Sequence, residues 1–233
     1  MRGRAPDDAV SVQLGETTLD VADDGTFFAG FDRDAPGEAV FLARLADGTT
    51  RRQVLPIAGR AWDIERVDVA RRPSGSSEAW WAQREPEWLA IEAARARNSD
   101  SDGWTQSFVQ PVEGRISGRF GRQRIYRGEP GSYHSGLDIA APTGTPFVAP
   151  ANGVVVLAVT GYSLEGNLVI IDHGQGLNSA FLHCSRIFVR EGERVRQGQT
   201  IGEVGATGRA TGPHLHWGIK WGEARLDPLL FLP

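Results

Sequence analysis

The chain has 233 residues and a net charge of −4, and its 40% hydrophobic and 23% charged residues are typical of a globular protein. This slight acidity gives no global indication of binding to nucleic acid or to an anionic membrane surface. The single cysteine, Cys184, excludes an intrachain disulfide framework and a thiolate metal cluster. No apolar run of about 18 residues predicts a membrane span.

Short strands separated by turns are predicted for residues 9–70. Asp-Gly and Pro-Gly pairs at 24–25, 36–37 and 47–48 separate runs of alternating polar and apolar residues, a pattern typical of antiparallel β-structure. We therefore predict a small Ig-like β-sandwich over residues 1–72. Its aspartates lack the spacing of a calcium-binding loop and are interpreted as a solvated surface. The predicted strands cover residues 10–14, 17–21, 26–31, 39–45 and 51–56.

A linker containing a helix is predicted between residues 73 and 103. A stretch rich in Ser, Gly, Pro and Arg (71–77) precedes a run of helix-forming residues (78–97). Trp81, Trp88 and Ala94 predict an apolar stripe on this helix, and Pro86 predicts a kink or a restart. We expect the helix to pack against a neighbouring domain, with sugar stacking by the tryptophans as the alternative.

Residues 104–233 are predicted to form a second, turn-rich β domain. Of the 29 glycines, 20 lie in residues 111–233, and all five histidines lie beyond residue 133. The chemistry of the protein is therefore expected in this half. The predicted strands cover residues 154–159, 168–172, 179–184, 200–204 and 214–221.

Two pairs of side chains stand at metal-binding spacings: His134 with Asp138, and His214 with His216. Because side chains at i and i+2 of a strand share one face, His214 and His216 are expected to face one surface together. They can share a metal, or one can bind it while the other acts on water. Neutral imidazole and carboxylate are the ligands of a catalytic zinc that keeps one position open.

The remaining histidines are interpreted differently from each other. His183 is expected on a strand where it shares a face with Ser179 and Phe181. His173 is interpreted as structural, because no carboxylate partner is spaced with it. Cys184 is expected to point away from His183 and to be a buried small apolar side chain.

Seven segments in this half carry the pattern of a known family. They are GRISGRFG (114–121), HSGLDIAAPTGTP (134–146), APANGVV (149–155), GNLVIIDHG (166–174), FLH (181–183), EGERVRQGQTIG (191–202) and TGRATGPHLHW (207–217). In this order they resemble the lysostaphin/LytM-type zinc metallopeptidases, which cleave the peptides of peptidoglycan. The resemblance covers about residues 111–228. Phe181 departs from it, since tyrosine is usual there, and Cys184 replaces a common leucine.

The resemblance implies a mainly β fold with a C-terminal LytM-type antiparallel β-sheet domain over residues 104–233. It implies one zinc ion per chain, held by His134, Asp138 and His216. His183 and His214 would then be the catalytic pair beside the open position, orienting or deprotonating water and stabilising the oxyanion. The sequence leaves open which of the two does which.

Contacts to the substrate are predicted less firmly. Asn167 lies beside the site in the family and is a weak candidate for a substrate contact. Five arginines precede the first ligand, and they either offer guanidinium donors to the carboxylates of a stem peptide or form a solvated basic loop. Arg124 is the candidate among them. The five are Arg115, Arg119, Arg122, Arg124 and Arg127.

The sequence therefore predicts a periplasmic or otherwise exported zinc endopeptidase acting on peptidoglycan. Export is expected from the family's substrate, because the first residues lack the apolar core of a signal peptide. The N-terminal domain is a possible contact for a regulatory protein. The alternative is a LytM-like domain without zinc that regulates another cell-wall hydrolase. The presence of all five expected groups favours catalysis.

Overall fold

The computed structural model describes residues 1–70 and 77–233 and contains two compact units, Met1–Ala61 and Trp62–Pro233. Most of the linker predicted at 71–77 lies outside the described residues. The prediction of a mainly β protein with antiparallel sheets and one α-helix is confirmed. Among the described residues, no helix has the length and apolar character needed to span a membrane.

The N-terminal unit is built from six short strands. Two antiparallel sheets form, one of four strands in the order β3-β2-β5-β6 and one that pairs β1 with β4, and the likeness to an Ig domain stays a prediction. Phe27 stacks on Phe41 with ring centroids 5.5 Å apart, which places aromatic packing inside this unit. The strands are β1 (Arg2–Arg4), β2 (Ala9–Leu14), β3 (Thr17–Thr18), β4 (Thr26–Phe28), β5 (Glu38–Leu45) and β6 (Thr50–Pro56).

The described part of the C-terminal unit contains fourteen strands. They are β7 (Ile64–Val67), β8 (Arg115–Gly118), β9 (Gln123–Tyr126), β10 (Glu129–Pro130), β11 (Leu137–Ala140), β12 (Pro146–Val148), β13 (Gly153–Tyr162), β14 (Gly166–Asp172), β15 (Leu177–Leu182), β16 (Arg186–Ile187), β17 (Arg194–Val195), β18 (Thr200–Glu203), β19 (Leu215–Trp221) and β20 (Ala224–Leu226). Single 3₁₀ turns lie at Gly103–Thr105 and Pro228–Leu230.

An eight-stranded antiparallel sheet is the centre of this unit. Its strands run in the order β17-β13-β14-β15-β19-β11-β8, and β20 pairs with β19. One face of the sheet packs against the small sheet β12-β18-β16, where Phe147 stacks on Phe181 at 5.5 Å and both side chains are fully buried. Trp217 and Leu215 are buried on the same face. The opposite face holds polar side chains such as His216 and, beside them, an apolar cluster that includes Leu168, Ile170 and Ala180.

Residues 62–70 join the C-terminal unit. Strand β7 pairs in parallel with β9, Ile64 lying opposite Gln123, and β10 completes a three-stranded sheet. By its alternation of polar and apolar residues, this segment is predicted to belong with the N-terminal strands, and that prediction is wrong. Pairing with β9, which is distant in the sequence, assigns β7 to the C-terminal unit, and the local sequence pattern does not predict this pairing. The division into functional domains at 72/73 and 103/104 stays a prediction.

The one α-helix of the described residues, α1 (Glu78–Arg95), packs on the main sheet. Ser77 caps it by accepting a hydrogen bond from the backbone N–H of Trp80 at 3.2 Å, and the helix runs through Pro86. The predicted apolar stripe is wrong for the tryptophans, because Trp81 and Trp88 are 52% and 49% exposed. The buried face instead contains two charged side chains beside two apolar ones, namely Arg84, Glu87, Ile91 and Ala94.

Charged side chains can be buried on α1 because they pair with the turn between β13 and β14. Arg84 donates from Nη1 and Nη2 to the two carboxylate oxygens of Glu165, at 2.7 and 2.8 Å. Its Nη1 also donates to Glu87 at 3.2 Å, and Glu87 accepts from the backbone N–H of Ser163 at 2.9 Å. These contacts fix the helix to a turn that lies next to His183, whose backbone N–H donates to the Glu165 carbonyl.

We expect Arg84→Ala to destabilise the C-terminal unit by about 3–5 kcal/mol, because it leaves two buried carboxylates without their cation. The matched control is Arg97→Ala, which removes an ion pair to Glu191 whose side chains are 54% and 48% exposed. Such an exposed pair contributes about 0–1 kcal/mol. Denaturant unfolding of the two variants measures the difference. Equal losses would contradict the assigned role of Arg84.

Candidate metal centre

Three ligand atoms converge on the face of the main sheet opposite the Phe181 core. Nε2 of His134 lies 3.0 Å from Oδ1 of Asp138 and 3.2 Å from Nδ1 of His216. Nδ1 of His216 lies 2.8 Å from Oδ1 of Asp138. The three atoms thus form a triangle with nearly equal sides, and all three side chains are partly buried. One ion can contact all three atoms.

Strand pairing explains how distant residues meet here. Asp138 on β11 lies directly opposite His216 on β19, and directly paired side chains share one face of an antiparallel sheet. His134 reaches the same point from the loop before β11. The chain between them needs glycine at Gly136, because a Cβ there would stand 2.6 Å from Nε2 of His216. Gly118 on β8 is constrained likewise, since a Cβ would stand 2.4 Å from Oδ2 of Asp138.

Electrostatics favour the metal-binding ionisation states of Asp138 and His216, and they favour the protonated form of His134, whose proton a metal ion would displace. Burial alone would raise the pKa of Asp138, but hydrogen bonds from His134 and His216 hold that pKa well below its usual range. Burial lowers the pKa of His216 and outweighs its contact with Asp138. Burial also lowers the pKa of His134, and the hydrogen bond to Asp138 reverses this into a net increase. A carboxylate therefore faces two imidazoles.

His183 and His214 stand beside this triangle. Their rings lie 4.9 Å apart between centroids, and Nε2 of His214 is 3.8 Å from Oδ1 of Asp138. Nδ1 of His183 donates to the Thr207 carbonyl at 2.8 Å, and Nδ1 of His214 donates to the Gly212 carbonyl at 2.8 Å. A carbonyl only accepts, so the neutral rings carry their protons on Nδ1 and their lone pairs on Nε2. Burial lowers the pKa of His183, which favours this neutral form.

The expected strand position of His183 is wrong, although the residue does reach the site. Strand β15 ends at Leu182, which is paired with His216, so strict alternation would turn His183 toward the Phe181 core. His183 instead has a φ of +67°, in the left-handed region that is rare for side chains with a Cβ. This turn reverses the alternation and places the ring 6.3 Å from that of His216. Such strain is typical of functional positions.

The interpretation of Cys184 agrees with the structure. Phe181, where tyrosine is usual, is buried in the core and stacks on Phe147. Cys184 is fully buried, and burial raises the pKa of its thiol to about 12. It is therefore no nucleophile at neutral pH.

His173 belongs to the scaffold and is fully buried. Its Nδ1 donates to the Asn152 carbonyl at 2.7 Å, and its Nε2 accepts from the hydroxyl of Ser179 at 2.8 Å. The same hydroxyl oxygen accepts from Nε1 of Trp217 at 3.3 Å. Burial lowers the pKa of His173 to about 4, so the ring is neutral throughout the physiological range.

This buried ring predicts a loss of stability in acid. A histidine whose folded pKa lies below its unfolded value stabilises the fold fully above pH 6.5, and that contribution is lost as the pH falls through about 4. The loss amounts to about 3 kcal/mol. Histidine NMR titration should show the His173 ring uncharged at pH 5 with its proton on Nδ1. A ring that titrates near pH 6.5 would contradict this.

The two candidate substrate contacts are engaged within the protein. The amide of Asn167 donates to the Cys184 carbonyl at 2.8 Å and accepts from the Gly161 N–H at 3.1 Å. Arg124 donates from Nε to Glu65 at 2.7 Å, with 57% of its side chain exposed. Both roles stay predictions. Carboxylates of residues 62–70 also pair with Arg122 and Arg127.

Sequence reasoning missed the groups that orient the histidines. His134 donates from Nδ1 to the Arg119 carbonyl at 3.0 Å, which leaves Nε2 facing Asp138. The carbonyls of Thr207 and Gly212 do the same for His183 and His214. Because these acceptors are backbone carbonyls, which every residue has, the sequence does not indicate where they lie. Only the hydroxyl of Thr207, which donates to the Cys184 carbonyl at 3.0 Å, offered a side-chain signal.

Comparison with known proteins agrees with this arrangement. A family model described as Peptidase family M23 matches residues 132–228. A crystal structure from Pseudomonas aeruginosa described as an M23 peptidase is 32% identical, with a TM-score of 0.73 over 95% of this chain and 86% of that one.

Two curated relatives match the C-terminal half. Peptidoglycan DD-endopeptidase ShyA of Vibrio cholerae is 43% identical over 52% of this chain and 29% of its own length. Lipoprotein NlpD/LppB homolog of Pseudomonas aeruginosa is 40% identical over 56% of this chain and 40% of its own length. The chain thus spans less than half of either relative. With the similar structure and the matching model, these findings show that the chain belongs to peptidase family M23.

Proposed function

We propose that this protein is a zinc-dependent endopeptidase that hydrolyses the stem or cross-link peptides of bacterial peptidoglycan. The observation that carries the proposal is the convergence of five groups. Three ligand atoms lie within 3.2 Å of one another, and two further imidazoles stand beside them. The five residues are His134, Asp138, His183, His214 and His216.

The donor set suits zinc. Two imidazole nitrogens and one carboxylate oxygen are a common catalytic set, and tetrahedral zinc at about 2.0 Å would separate its ligands by about 3.3 Å. The observed separations of 2.8 to 3.2 Å are close to this value. His134, Asp138 and His216 would hold the ion and leave a fourth position open. When bound, zinc activates water and polarises the scissile carbonyl.

The two remaining histidines handle protons in this proposal. Each presents a lone pair on Nε2, because its Nδ1–H is already donated to a backbone carbonyl. One of them accepts the proton of the attacking water, and the resulting imidazolium can donate it to the leaving amine. A positively charged ring also stabilises the oxyanion. The left-handed backbone of His183 holds its ring in place before substrate arrives.

The surroundings suit a peptide substrate. A cleft of about 1050 Å³ opens from His134 and Asp138, and it is lined by Tyr126, Tyr133 and Arg209 among others. Aromatic rings and guanidinium groups offer stacking and carboxylate recognition. One relative is named as a peptidoglycan DD-endopeptidase, which supports a cell-wall peptide as the substrate. We accordingly propose a periplasmic or otherwise exported protein.

The alternative is a non-catalytic regulator of another cell-wall hydrolase. One relative carries the name of a lipoprotein rather than of a peptidase, which keeps this alternative in view. The complete set of five groups favours catalysis, because a regulator has no need to retain them. The N-terminal unit is a candidate contact for a regulatory partner in either case.

Digestion of purified sacculi tests the proposal. The zinc-loaded protein should release muropeptides in which cross-linked dimers are lost, and chelator should stop their release. Mass spectrometry of the products identifies the bond that is cut. Intact sacculi after treatment with folded, zinc-loaded protein, together with stimulation of a second hydrolase added to the same assay, would favour the regulator.

A further inference from the structure

A second cavity lies on the other side of the metal centre, between α1 and the main sheet. It has a volume of about 230 Å³ and begins at His216. Trp88 and Arg95 line it from the helix, and Lys220 and Arg225 line it from the sheet. The helix α1 therefore forms the wall of a channel, and the main sheet forms its floor. Both extend from the metal centre. We call this cavity the α1 channel.

The floor of the α1 channel gives its length. His216 pairs with Leu182 across the sheet, and Lys220 pairs with Asn178, four residues further along each strand. Four residues of strand span about 13 Å. Nη1 of Arg95 donates to Oδ1 of Asn178 at 2.7 Å, which places the guanidinium at the far end. An extended peptide bound at the metal centre would reach Arg95 after about three to four residues.

Residues with small side chains lie between these two ends of the α1 channel. Ala180 and Gly218 are the paired residues midway along the floor, and neither carries a bulky side chain. Trp88 stands on the helix wall with 49% of its surface exposed, which leaves its ring available for stacking.

Charge is unbalanced along this channel. Four cationic side chains line it, but only two carboxylates do, Glu92 and Glu165. Glu165 is held by Arg84, and Lys220 pairs with Glu92 at 3.5 Å and with Glu223 at 3.1 Å. Arg95 donates to a neutral amide, and within the described parts of the chain no carboxylate forms an ion pair with it. Burial lowers the pKa of Arg95, an indication that this guanidinium would gain from an anionic partner.

We propose that the α1 channel binds a carboxylate of the peptide substrate through Arg95, about three to four residues from the scissile bond. The proposal rests on the proposed peptidase function and adds a substrate requirement to it. The carboxylate belongs either to the C-terminus of the peptide or to an acidic side chain. Both present the planar anion that a guanidinium recognises.

Kinetics on matched peptides test this assignment. The set contains one synthetic stem-type peptide, its C-terminal amide, and a version whose acidic residue is replaced by the amide residue. The wild type should prefer the carboxylate form by about 10- to 100-fold in kcat/KM, the difference appearing in KM. Arg95→Gln should abolish that preference, and Arg95→Lys should restore part of it. If amidation of the C-terminus lowers kcat/KM, the bound carboxylate is the terminal one. If replacement of the acidic residue lowers kcat/KM, the bound carboxylate is that of the side chain.

Arg97→Gln is the control, because Arg97 pairs with Glu191 at the surface and does not line the channel. It should keep the wild-type preference, and thermal unfolding checks that each variant is folded. A wild-type protein that treats carboxylate and amide peptides alike would overturn the proposal. So would an Arg95→Gln variant that keeps the full preference.

Calorimetric binding to the zinc-loaded His214→Ala variant separates this inference from the function on which it rests. If the wild type cleaves no peptide but binding still depends on the carboxylate and on Arg95, the peptidase proposal fails and the α1 channel stands. If cleavage proceeds without any such preference, the peptidase proposal stands and the α1 channel fails.

Discussion

His216→Ala is expected to lose both its metal ion and its hydrolytic activity. The substitution removes one of the three proposed ligand atoms and leaves Oδ1 of Asp138 without its 2.8 Å contact. Changes to residues that merely orient a ligand cost about 10- to 100-fold in metal affinity, so the loss of a ligand should exceed about 100-fold. Hydrolysis should fall to background at ordinary zinc concentrations.

Elemental analysis after dialysis measures this directly. The wild type should retain one zinc per chain, and His216→Ala should retain almost none. Metal-free wild-type protein is the control for folding, because it lacks the ion but keeps the side chain, and the two should unfold at similar temperatures. Stoichiometric zinc in the variant would remove His216 from the ligand set.

His214→Ala is expected to keep its zinc and lose turnover. The ring lies 3.8 Å from Oδ1 of Asp138, outside the triangle of the three proposed ligand atoms, and we propose that its Nε2 serves proton transfer rather than binding of the ion. Removing a general acid–base group costs about 10²- to 10⁴-fold, and we expect the loss in kcat with little change in KM. His183→Ala should behave in the same way.

The double variant adds a second readout. If His183 and His214 act on one proton pathway, removing both should cost about as much as removing either. Single-turnover rates and zinc content are measured on the same preparations. Cleavage by His214→Ala at near the wild-type rate would exclude His214 from the mechanism.

The local part of the site was readable from sequence. His134 and Asp138 stand four apart around Gly136, and the strand alternation of His214 and His216 needs no long-range information. The five residues do lie together. The pairing of Asp138 with His216, 78 residues apart, was implied only by resemblance to the family.

The rest depended on tertiary contacts. The face of His183 was predicted wrongly, because alternation assumes a continuous strand and a φ of +67° interrupts it. The buried face of α1 was also wrong, because Arg84 meets its partner Glu165 81 residues away and can be buried only with it. Tryptophan was the natural choice for a buried stripe, yet Trp88 lies half exposed beside a cavity that no sequence pattern indicates.

Zinc titration of the metal-free protein tests the central claim most directly. Peptide release from sacculi is followed while zinc is added in fractions of one equivalent. The five-group site predicts background activity without zinc and a linear rise that ends at one zinc per chain. Undiminished peptide release by the metal-free protein would contradict a zinc-dependent peptidase built on His134, Asp138 and His216.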